Sequence, residues 1–193
     1  MKIGIIDYGA GNVQSVMNAL LKLNQSVIIS NQIEELNQVD KIILPGVGNA
    51  KKAMEQLTKN QLVNYLKDYK NPILGICLGM QLLCTYSEEN NTNCLDIIEG
   101  QVLRFNINQK VPKMGWNKIE FDDNELFKNI PKESYFYFVH SYYLPINAAS
   151  IATAQYGVKY TSAIARNQYY GVQFHPEKSG SAGLQLLQNF IAL

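Results

Sequence analysis

Long hydrophobic runs are missing from these 193 residues. A bilayer-spanning helix asks for about 20 apolar residues in a row, and no stretch supplies them. The opening MKIGIIDYGAGN has one lysine and an apolar run soon broken by Asp7, so no export leader is expected. A dominant charge is missing too: 17 Lys and Arg stand against 16 Asp and Glu, and the basic residues are scattered. That balance leaves no electrostatic footprint for nucleic acid or an anionic membrane. Cysteine is scarce. Cys77, Cys84 and Cys94 form an odd set without metal-ligand spacing, so no metal site is expected, and reduced thiols in the cytosol are the default. No repeat, low-complexity tract or interdomain linker interrupts the chain, which reads as one domain over residues 1–193. A domain of this size buries roughly 70% of its unfolded surface and needs no staple.

What is present alternates in the first half. KIGIID (2–7), SVIIS (26–30), KIILP (41–45) and PILGI (72–76) read as buried strands. Helical patterns fall between them: one through Val13, Val16, Met17, Leu20, Leu21 and Leu23, then two over roughly 49–58 and 60–70. A further helix begins after Cys77. Continuous apolar strands alternating with helices predict an α/β fold, a mostly parallel central sheet with helices on both faces. The second half changes character. EGQVLRF (99–105), MGWNKIEF (114–121), SYFYFVH (134–140), SIATAQY (150–156), TSAIARN (161–167) and YYGVQFH (169–175) are strand-like with short turns, which adds antiparallel strands. SEENNTN (87–93) reads as a surface loop, and a last helix covers about 181–192.

Chemistry concentrates at Gly75-Ile76-Cys77-Leu78-Gly79. Glycine on both sides of a potential nucleophile suits a tight strand-to-helix turn with strained backbone angles and close chain approach. The turn places the thiol at the carboxyl end of a parallel strand, where open α/β sheets bind ligands. A helix N-terminus beside it favours thiolate. A free cysteine is most often a core residue, and Cys84 and Cys94 keep that reading.

A thiolate nucleophile wants a base held by a third group. There are two histidines, His140 in FVHSYY and His175 in VQFHPEKSG. Pro176 makes His175 extended. In an extended chain residues two apart lie on one side, roughly 6.6 Å apart along the strand. Glu177 can therefore orient the His175 ring, giving a Cys77–His175–Glu177 triad. Acyl transfer also needs oxyanion donors. The N–H of Leu78 is one expected donor, and PGVG (45–48) can bring a second from Val47 or Gly48.

In GICLGMQ and FHPE the chain resembles the class I (triad) glutamine amidotransferases, a flavodoxin-like α/β family. IDYGAGN, LPGVG, KMGWN, YFVHSYY and GVQFHPEKS fall in the order of a branch that serves histidine biosynthesis, and the resemblance runs essentially end to end. It implies that Cys77 attacks the side-chain amide of L-glutamine and that ammonia passes to a (β/α)8-barrel cyclase subunit. The cyclase would make imidazole glycerol phosphate and aminoimidazole carboxamide ribotide. By the same resemblance Gly46, Gln81, Glu89, Ser141 and Tyr142 would bind glutamine, while Asn12, Trp116, Tyr137 and Lys178 would lie at or near the partner interface. No cofactor is implied, and the glutaminase would stay nearly idle until the partner holds its substrate, with PGVG a physical candidate for the switch. Two departures stand out: Lys113 where histidine is expected, and Asn90 where glycine is usual. Rival readings are a paralogous glutaminase feeding another synthetase, such as one in surface-sugar amidation, a non-catalytic regulatory subunit, and a cysteine peptidase or chaperone-like protein of the related α/β class. A neighbouring cyclase or synthetase gene separates the first, and thiol labelling by a glutamine-like electrophile the second. The GMQ segment and the Glu177 spacing disfavour the third.

Overall fold

The computed structural model describes residues 1–9 and 12–193, so Ala10 and Gly11 of the IDYGAGN segment lie outside the described residues. The first half alternates as its apolar runs require. β1 (Lys2–Ile6), α1 (Val13–Lys22), β2 (Ser26–Ser30), the single-turn α2 (Ile33–Leu36), β3 (Lys41–Leu44), α3 (Ala50–Lys59), α4 (Leu62–Asp68), β4 (Ile73–Ile76) and α5 (Leu78–Leu83) follow in turn. Asparagine starts two of the helices: the Asn12 side chain accepts from the Ser15 amide, and the Asn49 side chain accepts from the Lys52 amide, both at 3.2 Å. The helical pattern over 60–70 is shorter than expected, because Gln61 takes a left-handed conformation and Tyr69 turns extended.

The second half holds β5 (Cys84–Ser87), β6 (Thr92–Asn93), β7 (Ile98–Arg104), β8 (Lys113–Phe121), β9 (Tyr135–His140), β10 (Tyr142–Tyr143), β11 (Ser150–Tyr156), β12 (Val158–Arg166), β13 (Tyr169–Val172) and α6 (Gly180–Ala192). Nine strands form one mixed sheet in the order β2-β1-β3-β4-β13-β12-β11-β8-β9. The first five are parallel, and the antiparallel wing contributes the other four. A second sheet has the order β10-β7-β5-β6, with β5 directly following α5.

Strand alternation sends side chains to two cores. Ile43 of β3 packs in one, with Val16 and Leu20 of α1 and Leu186 and Phe190 of α6. Ile42 and Leu44 pack in the other, with Ala53 and Leu57 of α3, Leu66 of α4 and Leu82 of α5. Among the described residues no helix is long and apolar enough to cross a membrane.

The surface loop expected over 87–93 is corrected. Ser87 ends β5, and Thr92–Asn93 form β6, which pairs back on Tyr86 and Ser87. Asn90 and Asn91 make the reversal at positive φ, which asparagine tolerates better than most residues. The strand expected over 169–175 also ends early, at Val172; the Gln173 amide still bonds the Ser162 carbonyl at 2.9 Å, and beyond it the chain leaves the sheet.

One topological feature positions everything that follows. β13, the last strand in sequence, lies parallel to β4, with Gly171 opposite Gly75 and Val172 opposite Ile76. The chains leaving these two strands therefore emerge side by side at one sheet edge, and the Cys77 amide still bonds the Val172 carbonyl at 2.8 Å.

Candidate active site

Cys77 sits between β4 and α5 at φ 54° and ψ −108°, a region that costs a non-glycine residue strain. Its neighbours show why glycine is needed. A Cβ on Gly79 would sit 1.8 Å from the Leu44 carbonyl oxygen, and one on Gly75 would sit 2.6 Å from the Gly79 backbone. α5 thus packs backbone to backbone against the ends of β3 and β4, and the turn aims the Cys77 side chain over the sheet edge.

His175 arrives from β13, and its amide is held by the Tyr137 carbonyl at 2.8 Å. Its Nδ1 lies 2.9 Å from Glu177 Oε1, both side chains being almost wholly buried. The second carboxylate oxygen, Oε2, is buried with no hydrogen-bond partner among the described residues. Burial works against a charged His175, yet hydrogen bonding and charge from Cys77 and then Glu177 outweigh it, and the His175 pKa is pushed up to about 10. The arrangement therefore favours an imidazolium between a sulfur and a carboxylate. His140 is the opposite case. Burial pulls it down to about 4, against a hydrogen bond from its Nδ1 to the Tyr142 carbonyl at 2.8 Å. It is neutral at ordinary pH and has a structural partner on each ring nitrogen, the second being the Tyr160 hydroxyl at 3.3 Å.

A cleft of about 280 Å³ opens over Cys77 and His175. Val47, Gly48, Leu78, Gln81, Glu89, Ser141, Tyr142 and Lys178 line it. Gln81 is buried, unlike an ordinary polar helix residue. Its amide nitrogen donates to the Tyr142 carbonyl at 3.0 Å and to Gln173 Oε1 at 2.9 Å. Among the described residues Glu89 is the one carboxylate lining the cleft. Burial raises its pKa, opposed by the Ala50 N–H that donates to Oε2 at 2.7 Å. That leaves Oε1 for a cationic group. Asn90 is left-handed at φ 55°, a conformation glycine adopts without strain, and its side chain bonds that of Asn49.

The oxyanion donors are not assembled. The Leu78 N–H donates to the Gly46 carbonyl at 3.4 Å, so a carbonyl faces the amide beside the nucleophile. Val47 is exposed, and Gly48 stands at φ +104° with no heavy atom within 4 Å of where a Cβ would be.

The residues expected at an interface divide. Trp116 is 54% exposed and meets Tyr137 edge-on with ring centroids 5.9 Å apart, and Lys178 Nζ stands 6.0 Å from the Tyr137 ring. These three make one surface cluster at the rim of the cleft, and core packing is excluded for Trp116. The Asn12 side chain is engaged in capping α1. Lys113 is buried, paired across the strands with His140, with Nζ 4.9 Å from the Tyr156 ring centroid.

Sequence reasoning missed Gln173, which is fully buried with its amide nitrogen 3.7 Å from Cys77 Sγ. The signal was available: Gln173 is two residues before His175 in an extended chain and so faces the same side. It also missed Tyr8, whose hydroxyl donates to the Pro45 carbonyl at the start of PGVG. Among the described residues no cluster of metal-ligating side chains occurs.

The family model for "Glutamine amidotransferase class-I" matches residues 4–193. Curated proteins called imidazole glycerol phosphate synthase subunit HisH are 42% identical in Bacteroides fragilis, 43% in Salmonella typhimurium and 44% in Buchnera aphidicola, each match covering all of both chains. Among solved structures, a glutamine amidotransferase superposes with a TM-score of 0.78 at 15% identity, over 98% of this chain and 97% of its own. PurLQS from Thermotoga maritima superposes with a TM-score of 0.76 at 15% identity, over 99% and 97%. At those identities the structural matches speak to the fold alone.

Proposed function

The chain belongs to the class I glutamine amidotransferases, and we propose that it is the glutaminase subunit of an imidazole glycerol phosphate synthase, one glutamine amidotransferase domain spanning residues 1–193. The reading is supported by the whole-chain similarity to the HisH subunits. The single observation that carries its chemistry is the His175–Glu177 pair at 2.9 Å set beside a strained Cys77 at the end of β4.

In this reading Cys77 Sγ attacks the side-chain amide carbon of L-glutamine. The carbonyl π electrons move to oxygen, and the tetrahedral oxyanion needs N–H donors from Leu78 and the Val47–Gly48 segment. His175, charged and oriented by Glu177, gives its proton to the departing nitrogen. Ammonia leaves as the C–N bond breaks, and a glutamyl thioester remains. Neutral His175 then takes a proton from water, hydroxide adds to the thioester, and glutamate is released with the sulfur regenerated. Glu89 Oε1 holds the α-ammonium. Gln81, rigidly bonded to Gln173 and Tyr142, walls the amino-acid end together with Gly46, Ser141 and Tyr142.

The acceptor of ammonia is a (β/α)8-barrel cyclase subunit, docked on the Trp116–Tyr137–Lys178 cluster beside the cleft with Asn12 near its margin. An exposed tryptophan flanked by a second aromatic and a cation is the composition expected of an interface anchor. Labelling with a glutamine-like electrophile, a diazo ketone analogue, tests the glutaminase half. One adduct on Cys77, blocked by excess glutamine and lost in Cys77→Ala, is expected. Labelling of Cys84 or Cys94 instead, or none that glutamine protects, would refute it.

A further inference from the structure

The PGVG segment is held at both ends and loose between them. At its start the Tyr8 hydroxyl donates to the Pro45 carbonyl at 2.5 Å, and Tyr8 is only 2% exposed. At its far end the Asn49 side chain bonds Asn90, and the Ala50 amide bonds Glu89. Between these points Val47 is exposed and Gly48 has open space where a Cβ would be. Gly46 is the tight point. A Cβ there would lie 2.6 Å from Leu78 Cβ, 2.7 Å from the Gly79 nitrogen and 2.8 Å from the Tyr8 hydroxyl.

This asymmetry follows from the sheet. β1 and β3 are parallel neighbours with Ile5 opposite Ile43, so the chain leaving β1 carries Tyr8 to the edge where Pro45 leaves β3. The phenol stays a donor under working conditions, because burial and then the charge on Cys77 both raise its pKa.

Resting on the reading of Cys77 as an amide-cleaving nucleophile served by PGVG as its oxyanion segment, we propose that Tyr8 is a positioning residue whose hydroxyl pins the Pro45 carbonyl and so fixes where that segment delivers its second donor. With Pro45 fixed, a turn of the Gly46–Val47 peptide takes the Gly46 carbonyl off the Leu78 N–H and brings the Val47 N–H toward the same point. Without the anchor, the whole segment shifts instead, and the second donor is delivered to no fixed place.

The test is Tyr8→Phe, which removes one oxygen and keeps the ring. Three quantities are measured on the full chain, alone and with the cyclase subunit: glutamine turnover, alkylation of Cys77 by iodoacetamide, and hydrogen exchange over residues 46–48. Alkylation forms no oxyanion, so its rate stays at the wild-type value, whereas kcat for glutamine falls about tenfold or more. KM for glutamine changes less than kcat, since Gln81 and Glu89 are untouched and of the binding wall Gly46 alone lies in the shifted segment. Exchange over 46–48 accelerates. An unchanged kcat overturns the proposal, and so do turnover and alkylation falling together, which would mark general damage to the site. A wild-type chain that is alkylated at Cys77 yet releases no glutamate removes the nucleophile reading itself, and the anchor with it.

Discussion

The backbone N–H of Leu78 donates to the carbonyl oxygen of Gly46 at 3.4 Å. An oxyanion beside Cys77 needs that N–H, and here it faces an oxygen of the chain. The bond is longer than a good N–H···O contact, so losing it costs little. His175 is paired with Glu177 while the Leu78 N–H is occupied, and in the proposed reading this is an enzyme kept slow until something turns one peptide.

The two glycines nearest this relationship should behave differently. Gly79→Ala places a Cβ 1.8 Å from the Leu44 oxygen, both of them backbone-fixed, and should prevent folding or destabilise by more than about 4 kcal/mol. Gly48→Ala meets no atom but strains a residue at φ +104°, a cost of about 1–3 kcal/mol. It should fold, melt somewhat lower and lose glutaminase activity. Chemical denaturation of both variants checks the ordering, which a well-folded Gly79→Ala would reverse.

Glu177→Gln separates orientation from mere packing. Removing the charge behind His175 should lower glutamine turnover about a hundredfold or more, with a folded protein. Stability against pH carries a second signature. The His175 pKa is raised from 6.5 to about 10 in the folded chain, with burial opposing and Cys77 and Glu177 prevailing. The charged ring therefore contributes stability that is complete below about 6.5 and is lost as pH rises towards about 10. Wild-type unfolding midpoints should carry this loss across that window, and Glu177→Gln should show a shallower slope. Parallel slopes would contradict the coupling.

Trp116→Ala addresses the partner. The ring is 54% exposed and touches Tyr137 edge-on, so its loss should leave the melting temperature of the isolated chain nearly unchanged. Affinity for the cyclase subunit should fall about thirtyfold, near 2 kcal/mol, by titration calorimetry. Equal affinity would move the interface elsewhere.

Much of this was legible in the sequence, and the reasons are physical. β1, β3 and β4 are buried on both faces and read as unbroken apolar runs, whereas β2, expected to be buried as well, lies at the sheet edge and is only partly covered. Cys77 stood out because glycines flank it, and His175 and Glu177 because Pro176 makes the chain extended. The strand order was not legible. Nothing local says that β13, last in sequence, inserts beside β4, yet that pairing is what carries His175 to Cys77. β5 and β6 were hidden because Cys84–Ser87 directly follows α5, and because polar SEENNTN looks like solvent-facing loop while Ser87 and Thr92 are buried by pairing. Tyr8 was read as part of a motif, and its bond to Pro45 spans 37 residues, beyond any local pattern.

The most direct measurement is glutamate release from glutamine by this chain alone and with the barrel cyclase subunit carrying its substrate or a product analogue, with Cys77→Ala as the control. The account predicts slow release by the isolated chain, strong stimulation by the loaded partner, and no release in either condition from the variant. Release from Cys77→Ala, or a wild-type rate indifferent to the loaded cyclase, would contradict it.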